Sequence, residues 1–151
     1  MRGDPMNRIE TMADHDLLER SVDTLMTRDP VTVGPTQGLA AARKVMLQTG
    51  GHHIPVVENG RLIGLLTPSD LLQSAPRLAY ALDPDQFDAA LDQVTVRRAM
   101  LEDMLTIGPD TKVREACERF ATGKFHCLPV VGEGGRLLGL VTTSDVIKAL
   151  L

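Results

Sequence analysis

Residues 52–70 and 126–145 are two copies of one sequence. The first copy reads HHIPVVENGRLIGLLTPSD and the second reads HCLPVVGEGGRLLGLVTTSD, with one additional residue in its glycine-rich turn. Self-similarity over such a length indicates an internal duplication. The sequence therefore predicts two structural units of the same kind.

The repeat continues toward the N-terminus of each copy. Thr32-Val33-Gly34-Pro35 returns as Thr106-Ile107-Gly108-Pro109, and Met26 and Met100 keep the same offset of 74 positions. We therefore expect an extension at residues 1–20, a first motif at 21–73, a linker with a short helix at 74–94, and a second motif at 95–151.

The first half of each copy predicts a strand and a helix. Val31–Val33 has the composition of a short strand, and the Gly34-Pro35 pair ends it because proline cannot donate to a strand ladder. Leu39–Gln48 is rich in good helix formers, and Gly50-Gly51 after it is a helix stop signal. The second copy predicts its helix over Val113–Thr122.

The second half of each copy predicts a hairpin and a second helix. Ile54–Glu58 and Leu62–Leu66 are apolar runs separated by Asn59-Gly60, the strongest short-range hairpin signal. Pro68-Ser69-Asp70 then indicates a helix start, with Thr67 or Ser69 as its cap.

The fold class predicted from this order is mixed α/β (α+β), each copy being strand, helix, strand, strand, helix. Units of this size bury too little apolar surface to be stable alone, so we expect the copies to pack on each other through their sheets. Between them, residues 85–91 predict a short amphipathic helix.

Composition and charge argue against nucleic-acid binding. The chain has 151 residues, a formal net charge of -4, one Tyr, three Phe and no Trp. Nonspecific nucleic-acid binding depends on Lys and Arg that neutralise phosphates, and base stacking depends on aromatic rings. A small phosphorylated ligand is not excluded, because it needs only a local cluster of donors.

Two cysteines, Cys117 and Cys127, are too few for a disulfide framework, and we expect both to be buried as small hydrophobic side chains. No apolar run is long enough to cross a bilayer, and residues 1–20 lack the apolar stretch of a secretory signal. The sequence predicts a cytoplasmic protein without a membrane segment. Residues 1–20 remain open to two interpretations, a docking helix or a disordered segment.

A copy with this order, together with His-x-hydrophobic-Pro-Val-Val and Gly-hydrophobic-hydrophobic-Thr-x-Ser-Asp, resembles the CBS motif, and two in tandem resemble a Bateman module. The resemblance implies a pseudo-twofold pair of α/β units with two clefts, and frequent dimerisation. It also implies that an adenine nucleotide or related adenosyl compound (AMP, ADP, ATP, a dinucleotide or S-adenosylmethionine) is the regulatory ligand. No cofactor is required.

Thr67 and Asp70, repeated as Thr142 and Asp145, place a hydroxyl and a carboxylate one turn apart at a helix N-terminus. A carboxylate can accept hydrogen bonds from both hydroxyls of a ribose, while a threonine hydroxyl and free backbone N–H groups suit a phosphate. This division of roles is the one that the resemblance implies. The alternative is that these residues only cap their helices.

Apolar residues beside these helix starts form candidate flanks for a flat base, and they are Val33, Ile54, Pro55, Ile107, Leu128 and Pro129. Every one of them could equally be an ordinary core residue.

His52, His53 and His126 precede the strands, where similar proteins often carry basic residues near ligand phosphates. Cys127 replaces the second histidine in the second copy, so we expect the two clefts to differ in anion affinity, and histidine contacts to depend on pH. The alternatives are surface or capping histidines, or a zinc site that includes Cys127. Standard zinc spacings are absent, and no metal site is predicted.

Three classes of function follow. The first is a ligand sensor that passes its bound state to a homodimer interface or to a separate effector enzyme or transporter. The second is a scaffold with empty clefts. The third, an enzyme with Cys117 or Cys127 as nucleophile, is disfavoured because no orienting Asn or Asp stands at a recognisable spacing. We predict a non-enzymatic sensor.

Overall fold

The computed structural model describes residues 14–75 and 83–151. The first thirteen residues, and with them most of the segment that was open to a docking helix or a disordered segment, lie outside the described part. Residues 14–19, at the end of that segment, are helical. Within the described ranges, no helix combines the length and the apolar character needed to cross a bilayer.

The described residues form helices, strands and two 3-10 turns in a mixed order. The helices are α1 (residues 14–19), α2 (Leu39–Thr49), α3 (Pro68–Ser74), α4 (Pro84–Leu91), α5 (Val96–Ala99), α6 (Val113–Ala121) and α7 (Thr143–Leu150). The strands are β1 (Thr27–Arg28), β2 (Ile54–Glu58), β3 (Arg61–Leu66), β4 (Cys127–Val131) and β5 (Leu137–Thr142). The 3-10 turns are Val22–Thr24 and Glu133–Gly135.

The chain divides into two compact units. The central unit consists of Asp29–Leu105 and Glu133–Leu137, and it contains the antiparallel hairpin of β2 and β3. The C-terminal unit consists of Met1–Arg28, Thr106–Gly132 and Leu138–Leu151, and it contains a three-stranded sheet in the order β1-β5-β4. The central unit carries most of the first sequence copy and the C-terminal unit most of the second.

The first residues of each motif belong to the unit that contains most of the other motif. In the C-terminal unit, Thr27 of β1 lies opposite Leu140 of β5. In the central unit, Leu101 lies opposite Leu65, with N–H to O distances of 3.0 and 2.9 Å. Thr27 and Leu101 are equivalent positions of the repeat, as are Leu140 and Leu65. Each unit is therefore completed by the same exchange.

Most elements predicted from the sequence are confirmed within one or two residues. The hairpin turn has the left-handed backbone expected of Asn-Gly, with φ of 52° at Asn59 and 78° at Gly60. Gly50 caps α2 with φ of 67°, a conformation that other residues rarely adopt. The linker helix exists as α4, and Leu91 at its end is fully buried in the central core.

The predicted strand over Val31–Val33 is wrong in extent. Only Val33 pairs, in a single parallel bridge with Val56. Its N–H donates to the Pro55 oxygen at 3.1 Å and its own oxygen accepts from Val57 at 3.0 Å. The ladder cannot continue past Gly34 because Pro35 has no N–H to donate.

Each unit has its own buried centre, built largely from equivalent positions of the repeat. Leu39, Ala42, Val56 and Leu66 are fully buried in the central unit. Their counterparts in the C-terminal unit, Val113, Ala116, Val130 and Val141, are also fully buried. The strand that ends in the candidate site is thus anchored in a core in both units.

Candidate functional site

In the central unit the site begins where β3 ends and α3 starts. Thr67 is the N-cap of α3, and Asp70 lies one turn further on. The Asp70 Oδ2 atom accepts a hydrogen bond from the Thr67 N–H at 2.7 Å and another from the Thr67 hydroxyl at 3.0 Å. The Thr67 hydroxyl and the Asp70 carboxylate therefore lie together, as predicted, and the hydrogen bonds of the helix cap hold them there.

In the C-terminal unit the same arrangement starts α7. The Asp145 Oδ2 atom accepts from the Thr142 N–H at 2.7 Å and from its hydroxyl at 2.9 Å. The Asp145 N–H donates to the Thr142 hydroxyl oxygen at 3.3 Å, which completes a capping box. The threonine and aspartate pair thus has matching cap hydrogen bonds in both units.

Only one oxygen of each carboxylate takes part in the cap. Within residues 14–75 and 83–151, the Oδ1 atoms of Asp70 and Asp145 receive no hydrogen bond, and both side chains are half-buried rather than enclosed. A carboxylate oxygen has two acceptor positions. Each site can therefore bind a pair of neighbouring hydroxyls without breaking its helix cap.

In each unit, the strand that follows the candidate histidines begins next to the start of the helix that carries the aspartate. Ile54 at the start of β2 pairs with Leu66, the residue before Thr67. In the C-terminal unit, the Thr143 N–H donates to the His126 carbonyl oxygen at 3.2 Å. Strand start and helix start are therefore neighbours in both units.

The three histidines differ in their surroundings. His52 and His126 are exposed, as a contact with a ligand phosphate would require. His53 is half-buried and already interacts with other parts of the protein.

Cys127, at the position equivalent to His53, lies next to the second site. Its thiol is buried, and this burial together with the nearby charge of Asp145 raises its pKa to about 12. The sequence identifies this residue as the difference between the two copies.

The apolar candidates are core residues first. Val33 and Ile54 are each 3% exposed, Ile107 is 7% exposed, and Leu128 is fully buried. Pro55 and Pro129 are among the fully buried side chains as well. In the conformation described, a flat base could reach at most the edges of these residues, and most of their buried area serves the fold.

No group of three or more His, Cys, Asp or Glu side chains suited to a metal ion occurs within the described ranges. Cys117, the other candidate nucleophile, lies on α6 and is half-buried, and burial raises its pKa above the usual value for a thiol.

Comparison with known proteins supports the repeat directly. The family model of the CBS domain matches residues 22–77 and again residues 96–151. One relative is inosine-5'-monophosphate dehydrogenase of Korarchaeum cryptofilum, which is 31% identical over 127 residues. That alignment covers 84% of this chain but 24% of the dehydrogenase, so the chain spans about a quarter of that relative's length.

Solved structures show the same fold. The CBS domain of a CBS domain-containing membrane protein from Sphaerobacter thermophilus has a TM-score of 0.79 at 26% identity, and the match covers 97% of each chain. CBSX2, in a complex with AMP, has a TM-score of 0.70 at 24% identity, covering 86% of this chain and 95% of that one. With two matches to the family model over most of its length, the chain belongs to the CBS-domain family and carries two CBS domains in tandem.

Proposed function

We propose that this chain is a regulatory module that binds an adenine nucleotide or related adenosyl ligand. The ligand binds at Thr67 and Asp70 in one unit and at Thr142 and Asp145 in the other. The bound state is passed to a homodimer interface or to a separate effector enzyme or transporter. No catalytic step and no cofactor are needed.

The observation that carries this proposal is that the two oxygens of each carboxylate differ in their hydrogen bonds. Oδ2 of Asp70 and of Asp145 is held by the threonine cap, while Oδ1 receives no hydrogen bond within the described ranges. A fixed carboxylate with one open oxygen is suited to the vicinal hydroxyls of a ribose, because both hydroxyls can donate to it.

The phosphate end of the ligand is assigned to the helix starts and the exposed histidines. The Ser69 and Ser144 N–H groups belong to the first turns of α3 and α7, where backbone donors and the helix dipole favour an anion. His52 and His126 are exposed at the neighbouring strand starts.

Two of the known proteins bear on this assignment. CBSX2, which shares the fold, is known in complex with AMP. The dehydrogenase relative is much longer than this chain, and its CBS-like part is a fraction of its length. We therefore assign to this chain the regulatory part and not the dehydrogenase reaction. The raised pKa values of Cys117 and Cys127 also speak against a thiolate nucleophile.

A scaffold with empty clefts is the second candidate, and one observation favours it. Pro55, Leu128 and Pro129, which were expected to flank a base, are fully buried. If they do not become accessible, the threonine and aspartate pairs would serve only as helix caps, and the module would act through dimerisation or docking alone.

A thermal-shift panel with AMP, ADP, ATP and S-adenosylmethionine separates the two candidates. A ligand that binds only the folded state increases the free energy of unfolding, by about 2.7 kcal/mol at a hundred times its Kd. The melting temperature therefore rises with ligand concentration. The sensor predicts a rise for at least one compound that is lost in the D70N/D145N double variant. The scaffold predicts no rise with any of them.

Asn is the appropriate replacement because its side-chain oxygen can still accept the cap hydrogen bond. Asp83→Asn is the matched control, since Asp83 also caps a helix, accepting from the Gln86 N–H at 2.9 Å, but lies outside both sites. An equal loss of the ligand-induced rise in the D83N variant would show that general destabilisation, and not the site, is the cause.

A further inference from the structure

Two arginines from equivalent positions of the repeat lie opposite each other in the central unit. Arg61 begins β3, and Arg136 follows the 3-10 turn Glu133–Gly135. The two residues form an antiparallel β-bridge. Side chains directly opposite in such a pair extend from the same face, with Cβ atoms about 5 Å apart.

Among the residues that the structure describes, no carboxylate pairs with either of these two arginines. Both side chains are exposed, and neither makes an ion pair or a side-chain hydrogen bond within the described ranges. The cross-strand neighbour of Arg61 is Glu58, but its carboxylate binds Arg97 at 2.9 Å instead. The carboxylate of the residue opposite Arg61 is thus already paired with another arginine.

The surrounding backbone leaves room for the guanidinium groups. Gly134 has φ of 66°, and a Cβ atom at this residue would lie 3.8 Å from the terminal nitrogen of Arg61. Gly60 and Gly135 also have positive φ and no neighbouring atom within 4 Å of a Cβ position. Two glycine turns, one from each copy, therefore flank the arginine pair without covering it.

Like charges directly opposite each other destabilise a strand pair, and arginine remains charged at every pH of interest. An anion that binds both guanidinium groups removes this repulsion, and each planar guanidinium can donate two parallel hydrogen bonds to one oxyanion group. The chemistry that fits is a small molecule with two adjacent oxyanion groups, of which inorganic pyrophosphate is the simplest.

We propose that Arg61 and Arg136 form an anion site for a diphosphate-type ligand, distinct from the two threonine and aspartate sites. Arg61 stands at the opposite end of β3 from Thr67, about 20 Å away at 3.3 Å per residue. The site is therefore independent of the nucleotide proposal, and it remains in a D70N/D145N variant.

Thermal unfolding with inorganic pyrophosphate, at an ionic strength matched with sodium chloride, tests this site. Pyrophosphate at about ten times its Kd is expected to raise the melting temperature of the wild type by a few degrees. The R61Q/R136Q double variant is expected to lose this rise, while K124Q, which removes an exposed lysine of the C-terminal unit, keeps it. An equal rise in the double variant, or with sodium chloride alone, would overturn the proposal.

Amide NMR during the same titration shows where the anion binds. The expected shifts are at Gly60, Gly134 and Gly135, because these amides flank the pair. Shifts confined to Ser69 and Ser144 would place pyrophosphate at the helix starts and overturn the arginine site. Because both arginines are exposed, glutamine is expected to leave the fold intact, and R136Q is expected to melt slightly higher than the wild type at low salt.

Discussion

The Thr143 N–H donates to the His126 carbonyl oxygen at 3.2 Å, whereas Pro68, at the same place in the first copy, has no N–H to donate. The start of α7 is therefore tied to the neighbouring strand by a bond that the start of α3 lacks. The two candidate sites match in their carboxylates and differ in how firmly their helices are held.

Thr143→Pro should loosen the start of α7. Loss of one backbone hydrogen bond is expected to cost about 1 kcal/mol, which corresponds to roughly fivefold faster local opening. Hydrogen exchange of the Asp145 amide measures this directly. The reverse change, Pro68→Thr, should slow exchange at Asp70. Unchanged exchange in both variants would show that the bond does not hold the helix.

Gly139→Ala should destabilise the protein by about 1–3 kcal/mol. A Cβ at Gly139 would lie 2.6 Å from the Thr27 backbone oxygen, in the strand pair of β1 and β5. Gly64→Ala is expected to cost less, because the three atoms nearest to its Cβ all belong to the flexible side chain of Met100 and none to the backbone. Urea unfolding measures both.

Gly108→Ala is the matched control for these changes, since its Cβ would have only one neighbour, Thr111, at 4.0 Å. If G139A were as stable as G108A, the close contact between β1 and β5 would not exist in solution.

Cys127 should make the protein less stable in alkali. Its pKa is about 12 in the folded protein and 9.0 as an ordinary thiol, because burial and the Asp145 charge disfavour the thiolate. Below pH 9 both states keep the proton. Between pH 9 and 12 only the unfolded state releases it, so this contribution to stability falls as the pH rises.

Urea unfolding from pH 8 to 10.5 measures this effect, with Cys127→Ala as the reference. We expect a steeper loss of stability in the wild type than in the variant above pH 9. A thiol reagent at pH 8 should also react with Cys127 far more slowly in the folded protein than in urea. Parallel pH curves for the two proteins would contradict the assigned pKa.

Much of the fold was accessible from local sequence signals. The Asn59-Gly60 turn and the Gly50 helix stop each depend on one backbone conformation that few residues adopt, so these elements could be predicted closely. The exchange that pairs Thr27 with Leu140 could not, because strand pairing between distant segments leaves no local signal in so short a strand. The same limit explains why Val31–Val33 was predicted as a full strand.

The candidate site could be proposed from the sequence for a different reason. Thr67 with Asp70 is both a helix-cap signal and a chemical pair, and its repetition as Thr142 with Asp145 identified it. The place of Cys127 beside Asp145 depends on how a strand start meets a helix start, which spacing along the chain does not reveal. The complete burial of Pro55 likewise depends on tertiary packing.

Removing one ribose hydroxyl should weaken binding of the nucleotide. If the open oxygens of Asp70 and Asp145 accept both hydroxyls, 2'-deoxy-AMP loses one charge-assisted hydrogen bond, worth about 1.5–3 kcal/mol. We expect its Kd to be at least ten times that of AMP by isothermal titration calorimetry. Equal affinity would show that the ribose does not bind the carboxylate, even if nucleotide binding itself were confirmed.

Titration calorimetry of AMP with the wild type and with the D70N/D145N double variant tests the central claim most directly. We predict measurable binding to the wild type and to the D83N control. We predict at least a tenfold loss of affinity in the double variant, which should melt within a few degrees of the wild type. Undiminished AMP binding by the folded double variant would contradict the assignment of the nucleotide site to these two carboxylates.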